Sequence, residues 1–183
     1  SVEVYIVTGD RDELQLIDDR TRVMYTKRGI SDIKLYDKAA FAEDYEGLVP
    51  LQLIDLKGLM GDTSDNIPGV PGVGPKTALK LIGEYGSVEN VLEHVDEVKG
   101  KSLKEKLAGN KEQALLSKEL ATIYTEVPGL DLQLDSYALK PLEEKARQLL
   151  ADLEFRGLFN QFGQIMGVAE GVDVPSAVAA RGI

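Results

Sequence analysis

The sequence predicts an α/β protein in which the edge of a sheet leads into a mostly helical region. Two observations carry this. Short runs rich in β-branched and aromatic residues gather near the front, over residues 2–36. Beyond residue 38, apolar residues recur at helical spacing behind capping residues and prolines, as far as residue 162. Strands followed by a run of helices is the order expected for the trailing edge of an α/β sheet joined to a helical layer.

Taken in order, residues 2–7 (VEVYIV) read as a short buried strand. Leu14, Leu16 and Ile17 begin a short helix or turn. Residues 22–26 and 30–36 read as two strands joined around Lys27-Arg28-Gly29, with the glycine at the turn. Asp37 has the short acceptor side chain that caps a helix, here over about 38–45. Pro50 suits the first turn of the next helix, which should run to about residue 59. A glycine-rich loop covers roughly 60–75. Helices are expected over 76–84, ended by Gly86, and over about 87–95, capped by Ser87.

Residues 98–118 are lysine-rich and read as two helices broken at Gly109-Asn110. An extended piece over 130–134 precedes a helix over 141–153 and a shorter one over 155–162. In these last helices Leu149, Leu150, Leu153, Phe155, Phe159 and Phe162 read as core. After Gly167 there are few large apolar residues and no period, which suits a linker or tail. The expected organisation is an α/β part over 1–58, a helical region containing the glycine hairpin over 59–163, and a tail over 164–183.

Composition narrows the function. Hydrophobic residues make up 43% and charged residues 28%, a globular mix, and the absence of Trp leaves Leu, Ile, Val and Ala to build the core. The absence of cysteine excludes disulfides, cysteine zinc sites and thiol catalysis. His94 is the single histidine, which leaves Ser-His-Asp catalysis and multi-histidine metal sites little to work with. Its setting, VLEHVDEV, suits a surface or packing role. No apolar run approaches the ~18 residues that cross a bilayer. The opening SVEVYIVTGD lacks the charged region and cleavage site of a signal peptide and reads as a strand already inside a domain, so the stretch is expected to be a fragment. The net charge of −10 counts against nonspecific nucleic-acid binding, so any such role must rest on local groups.

Three local patterns supply them. In Thr8-Gly9-Asp10-Arg11-Asp12, two carboxylates two residues apart follow a strand, where ligand sites of open α/β sheets lie. A solvated acidic turn fits the same residues. In Gly61-Asp62-Thr63-Ser64-Asp65-Asn66, Asp62 and Asp65 are three apart and share a face of a helical turn. Hard carboxylate oxygens suit Mg²⁺ or Mn²⁺, and a helix-capping cluster is the competing reading. In Ile67-Pro68-Gly69-Val70-Pro71-Gly72-Val73-Gly74-Pro75-Lys76-Thr77-Ala78, a glycine hairpin feeds directly into a helix. Exposed backbone N–H groups, a helix N-terminus and Lys76 together suit one or two backbone phosphates without reading bases.

The run GDRDELQL, followed by GLMGDTSDNIPGVPGVGPKTALKLIGEYGSVENVL, resembles the 5′-nuclease (flap endonuclease, 5′-3′ exonuclease) domain at the front of bacterial family A DNA polymerases, over about residues 2–162. The resemblance implies the edge of a PIN-like nuclease sheet followed by a helix-hairpin-helix region. It implies hydrolysis of DNA phosphodiesters at a two-metal Mg²⁺ or Mn²⁺ site, with Asp10, Asp12, Asp62 and Asp65 as metal-ligating, catalytic residues. Gly72, Gly74, Lys76 and Thr77 match the hairpin's phosphate contacts, with Gly69, Val70 and Val73 in the same DNA-binding loop. It also implies K⁺ at hairpin carbonyls, flap or nicked duplex DNA as partner, and a bacterial cytoplasm close to the nucleoid. The family's early aspartate strand, basic helical arch and Glu-Ala-Glu-Ala-Asp-Asp run do not occur in these 183 residues. The four aspartates therefore form at most part of a two-metal site, and a missing nuclease half or a polymerase domain is an expected partner.

Two other functions stay open on the residues. One is a non-catalytic duplex-binding module that uses only the hairpin. The other is a haloacid-dehalogenase-type phosphatase, suggested by a strand before Asp10-Arg11-Asp12 and a later Gly-Asp-x-x-Asp, although Leu14 stands where that pattern has Thr or Val. The lysines Lys99, Lys101, Lys104, Lys106 and Lys111 alternate with Glu97, Glu105 and Glu112 and read as a solvated helix rather than as an extension of the DNA-binding face.

Overall fold

In the computed structural model, which describes residues 2–28, 32–131, 133–138 and 144–165, strand β1 (Val4–Thr8) runs parallel to β2 (Thr21–Arg28). Strand β2 pairs antiparallel with β3 (Asp32–Tyr36), so the sheet is three-stranded in the order β1-β2-β3. The turn expected at Gly29 and the tail beyond residue 165 lie outside the described residues. Register sets the two faces. Ile6 lies opposite Val23, and Val23 opposite Tyr36; with Tyr25 these side chains meet the core. The period of two sends Tyr5, Val7, Ile33 and Leu35 to the other face, where they are exposed. The strand expected over 2–7 is therefore present but not buried: Val7 is 66% exposed, because β1 has a paired neighbour on one side only and one face lies uncovered among the described residues.

Helix α1 (Lys38–Asp44) starts where expected, with Asp37 Oδ1 accepting the Ala40 N–H at 2.8 Å. Its Phe41 is fully buried and stacks on Tyr45. Pro50 opens a 3₁₀ turn (Pro50–Gln52) that runs into α2 (Leu53–Met60), in place of one continuous helix. Helix α2 is buried on all sides from Leu53 to Leu59 and forms the centre of the helical layer. At Gly58 a Cβ would come within 3.0 Å of both Lys118 Cβ and Val88 Cγ2. The missing side chain is what lets the neighbouring helices close on α2.

Around it pack α3 (Pro75–Tyr85), ended by Gly86 at φ +87°, and α4 (Val88–Glu93), capped by Ser87. A 3₁₀ turn (Val95–Glu97), α5 (Lys101–Gly109) and α6 (Lys111–Ala121) follow, with the α5–α6 break at Gly109-Asn110 as the sequence predicts. His94 is exposed and bonds the Asn90 carbonyl through Nδ1.

The chain divides into two compact units, Ser1–Glu126 and Val127–Ile183. The boundary expected at 58/59 falls inside α2, and sheet and helices of the first unit share one core. In the second unit a 3₁₀ turn (Leu134–Tyr137) takes the end of the expected extended piece, and α7 (Glu144–Asp152) and α8 (Arg156–Ile165) follow. Phe159 is 8% exposed, whereas Leu149, Leu153 and Phe155 are each more than half exposed rather than core. Within this unit α7 and α8 pack on each other among the described residues.

One polar tie crosses the buried helices. Asp55 on α2 is 5% exposed; it accepts the Val88 N–H at 2.9 Å and pairs with Lys118 Nζ at 2.6 Å. Lys118 also pairs with Glu89 at 2.7 Å, so α2, α4 and α6 are joined at one point. Asp55→Ala leaves the Val88 N–H unpaired and strips Lys118 of its buried partner. The expected cost is about 2–4 kcal/mol, read as a lower urea midpoint with unchanged slope. A loss below about 1 kcal/mol would show that Glu89 alone satisfies Lys118.

Candidate metal centre and nucleic-acid interface

Strand β1 ends at Thr8, whose Oγ1 accepts the Asp10 N–H at 3.0 Å. Asp10 Oδ1 in turn accepts the Asp12 N–H at 3.0 Å. These local bonds turn the chain into a 3₁₀ helix (Asp12–Leu16), anchored by the fully buried Leu14. Asp12 is thereby drawn half inside, while Asp10 stays exposed, with one carboxylate oxygen engaged by the turn.

The second acidic pair lies just past α2. Gly61, at φ +72°, reverses the chain, and Asp62 and Ile67 exchange backbone hydrogen bonds at 2.9 and 2.8 Å to close a tight loop. Asp62 Oδ1 accepts both the N–H and the hydroxyl of Ser64 at 2.9 and 2.5 Å. The loop returns its acids toward the end of β1. Asp12, Asp62 and Asp65 each present an oxygen within 4.8 Å of the others, and Asp10 is not in that group.

A cation already sits among them. Lys57 of α2 is 4% exposed, and its Nζ bonds Asp12 Oδ1, pairs with Asp62 Oδ2 at 2.7 Å and reaches Asp65 Oδ2 at 4.0 Å. Sequence reading missed Lys57. It stands in LIDLKGLM, where a lysine reads as the solvated face of a helix, and nothing local marks this turn as buried.

The environment separates the three acids. The Lys57 hydrogen bond, then those from Ser64, hold Asp62 down to about 2. Burial pushes Asp12 above its ordinary value, with Asp10 and Asp65 adding to the rise and Lys57 opposing it. For Lys57 burial disfavours the charge, but the hydrogen bonds to Asp12 and Asp62 outweigh it, so its pKa is raised and it stays an ammonium. Carboxylate oxygens converging where an ammonium fits form a donor set suited to a hard cation such as Mg²⁺ or Mn²⁺.

The glycine hairpin follows directly. Gly69, at φ +59°, passes so close to Gly61 that a Cβ would overlap the Met60–Gly61 backbone. Its N–H donates to Ser117 Oγ at 3.0 Å and its carbonyl accepts from Gln113 Nε2 at 2.5 Å, both from α6. The Val70 N–H donates to Leu59 O at 2.7 Å, the Val73 N–H donates to Val70 O at 3.0 Å, and both valine side chains are buried. The donors of Gly69, Val70 and Val73 are thus used inside the protein, where they shape the hairpin. Gly72, Gly74 and Lys76 keep backbone N–H groups that donate to nothing among the described residues. All three are exposed, and Thr77 stands beside them at the N-terminus of α3, half-buried, with its N–H on Gly74 O.

Comparison with known proteins returns a nuclease family. Residues 48–145 match the family model described as 5′-3′ exonuclease, C-terminal SAM fold. The chain is 48% identical to DNA polymerase I of Bacillus subtilis over 169 residues, covering 92% of this chain and 19% of that protein. It is 39% identical to DNA polymerase I of Mycobacterium tuberculosis over 180 residues, covering 98% of this chain and 20% of that one. Among solved structures, T5 5′-exonuclease with divalent zinc ions bound superposes with a TM-score of 0.57 at 26% identity, covering 65% of this chain and 42% of that one. The chain belongs to the 5′-3′ exonuclease family with the C-terminal SAM fold. It spans about a fifth of the length of the curated relatives it matches. Membership in this family displaces the haloacid-dehalogenase alternative.

The Asp62 environment carries a pH signature. A carboxylate whose folded pKa lies below its unfolded value contributes stability above the unfolded pKa and loses it as pH falls toward the folded one. With Asp62 held from 3.8 down to about 2, this contribution should disappear between about pH 4 and pH 2. Asp12, pushed upward, acts in the opposite sense. Acid titration of unfolding stability should fall less steeply in Asp62→Asn than in the unmodified chain; equal slopes would remove Asp62 as its source.

Proposed function

We propose that this chain is the C-terminal part of a structure-specific 5′-nuclease that hydrolyses DNA phosphodiesters with Mg²⁺ or Mn²⁺. The observation that carries the reading is the convergence of Asp12, Asp62 and Asp65 on Lys57, one short loop away from a hairpin with open amides. In this reading Asp12, Asp62 and Asp65 bind divalent metal, and Asp10 lies one turn away as a further ligand from the same strand end. Bound metal would supply an activated water and charge stabilisation at the leaving oxygen. The chain's own groups position and neutralise. Lys57 keeps the carboxylates ionised and together, Gly72, Gly74 and Lys76 present amides to a backbone phosphate, and the Lys76 ammonium and Thr77 add to that grip. Such contacts select DNA shape, as at a flap or nick, rather than sequence. K⁺ at hairpin carbonyls, a segment completing the nuclease half, an attached polymerase part as in the relatives, and a cytoplasmic, nucleoid-associated setting belong to the same proposal.

A second reading is favoured by one specific observation. Three converging carboxylates suit one divalent ion, whereas a two-metal site with ions ~3.5–4 Å apart needs more donors. On that reading these residues alone grip duplex DNA and do not cut it.

Cleavage of a 5′-flap substrate in Mg²⁺ or Mn²⁺ separates the two. Metal-dependent cutting that EDTA and Asp62→Ala/Asp65→Ala abolish would make the chain a nuclease by itself. Duplex binding without cutting, weakened several-fold in Lys76→Ala, assigns it the gripping role. Failure to bind duplex at all would sink both. The metal proposal has its own check. Lys57→Met removes the ammonium that gathers the carboxylates, and Mn²⁺ affinity measured by calorimetry should fall several-fold, by about 1 kcal/mol or more. A rise would mean that Lys57 competes for the carboxylates instead of assembling them.

A further inference from the structure

On a chain of net charge −10, the lysines left without acidic partners are informative. Within the first unit Lys34, Lys38, Lys57, Lys101 and Lys118 stand in ion pairs, and Lys104 donates to the Asp96 carbonyl. Lys27, Lys76, Lys80, Lys99, Lys106 and Lys111 have no ion pair among the described residues. Four of these gather at the hairpin and at a groove that leads away from it.

The groove lies between α3 and the segment entering α5. Thr77, Lys80 and Glu84 line it from α3, at spacings of three and four that place them on one helix face. Lys99 and Leu103 line it from the other side. Lys106 is three residues beyond Leu103 on the same face of α5, and its side chain lies over Gly72. A Cβ on Gly72 would strike the Lys106 ammonium and sit 3.3 Å from its Cε. Gly72 also has φ +77°, the left-handed backbone that favours glycine at this turn. Helix α3 leaves the hairpin as α5 approaches it. Lys106 therefore marks the hairpin end of the groove, Lys80 its wall and Lys99 its far end, with Glu84 in the wall and Glu97 acting on the lining Tyr85. The solvated helix expected over 98–118 is thus split. Lys101 pairs with Glu105 and Lys104 with a carbonyl, while Lys99 and Lys106 turn to the groove and hairpin.

We propose that this groove continues the phosphate-binding surface of the hairpin, with Lys106, Lys80 and Lys99 carrying the backbone of duplex DNA onward from Gly72 and Lys76. The inference rests on the reading of the hairpin as a duplex-binding element. Lys106 places an ammonium beside the open Gly72 amide, so one phosphate oxygen would meet two donors there. From Thr77 to Glu84 the α3 wall runs ~10 Å at 1.5 Å per residue. One strand of duplex carries a phosphate per ~3.4 Å of axis, so the wall faces about three of them. Unpaired surface cations lose no partner when phosphates arrive, and each phosphate neutralised releases counterions.

The test is the salt dependence of binding to a fluorescent blunt duplex, using the 183-residue chain with thermal unfolding as a folding control. Lys106→Ala, Lys80→Ala and Lys99→Ala should each reduce the slope of log K against log salt by about 0.9, and the triple variant should lose the sum. Lys106→Arg should retain the slope, and Lys101→Ala, removing a lysine already paired with Glu105, should leave it unchanged. Unchanged slopes in the three groove variants, with Lys76→Ala reducing it, would overturn the groove and keep the hairpin reading. Equal loss in Lys101→Ala would reduce the effect to general surface charge and overturn the proposal. An unmodified chain that shows no salt-dependent binding overturns both.

Discussion

Three carboxylate oxygens held within 4.8 Å of one another repel by about 3 kcal/mol per charged pair at an effective dielectric near 20, and a fold that gathers them must also provide the cation that offsets this. Lys57 is that cation. Its ammonium is as costly to bury alone as the acids are to gather alone, so each half of the arrangement requires the other. The requirement fixes α2. A helix that must deliver Lys57 to the end of β1 cannot slide or rotate. Asp55, two residues earlier and on the opposite side of the same helix, binds it to α4 and α6. Acid site and helical core are therefore secured by one buried element that carries opposite charges on its two sides.

The connection from acid site to hairpin is backbone on backbone. Gly61 and Gly69 cross where any side chain would overlap main-chain atoms, and Asp62 bonds Ile67 within the loop they close. A shift of the hairpin is thus a shift of Asp62. Helix α6 secures the crossing from outside through the fully buried Ser117, whose hydroxyl accepts from Gly69 and donates to Gln113 O at 2.7 Å. Gln15 makes a parallel tie from the sheet side, donating to Ala121 O at 3.0 Å and accepting from the Ile123 N–H at 2.9 Å. The end of α6 is in this way bonded to the turn that positions Asp12.

Much of this was legible in the residues where one side chain determines one local conformation. Asp37 and Ser87 cap the helices they should cap, Gly86 ends α3, and Gly109-Asn110 separates α5 from α6. Legibility failed where the outcome depends on distant partners. Asp10 and Asp12 look equivalent in sequence, but the first bonds its own turn and only the second turns inward. Gly69 and Gly72 look equivalent within Pro-Gly-Val repeats, yet α6 occupies the donor of one and leaves the other open. Lys57 is indistinguishable in sequence from a solvated lysine, because its three acids come from segments 45 residues upstream and several residues downstream. The exposed face of β1 is a similar case: β-branched composition specifies a strand, but burial depends on what packs over it.

On the proposed function, an acidic chain that grips a polyanion has to keep the two charge signs apart and still close together. With all four groups ionised, Asp12, Asp62, Asp65 and Lys57 sum to −2, the charge that one divalent cation neutralises. A site in that balance with metal bound would no longer repel a phosphate, whereas the same carboxylates without Lys57 would stay net negative under a single ion. The cations proposed to meet the backbone stand elsewhere, at the hairpin and the α3–α5 groove. Segregation of this kind reconciles a net charge of −10 with nucleic-acid binding. Attraction between exposed charges is weak beyond a Debye length of ~8 Å, so the charges that matter are those within reach of the phosphate, and on this proposal these are positive at the grip and compensated at the acid site.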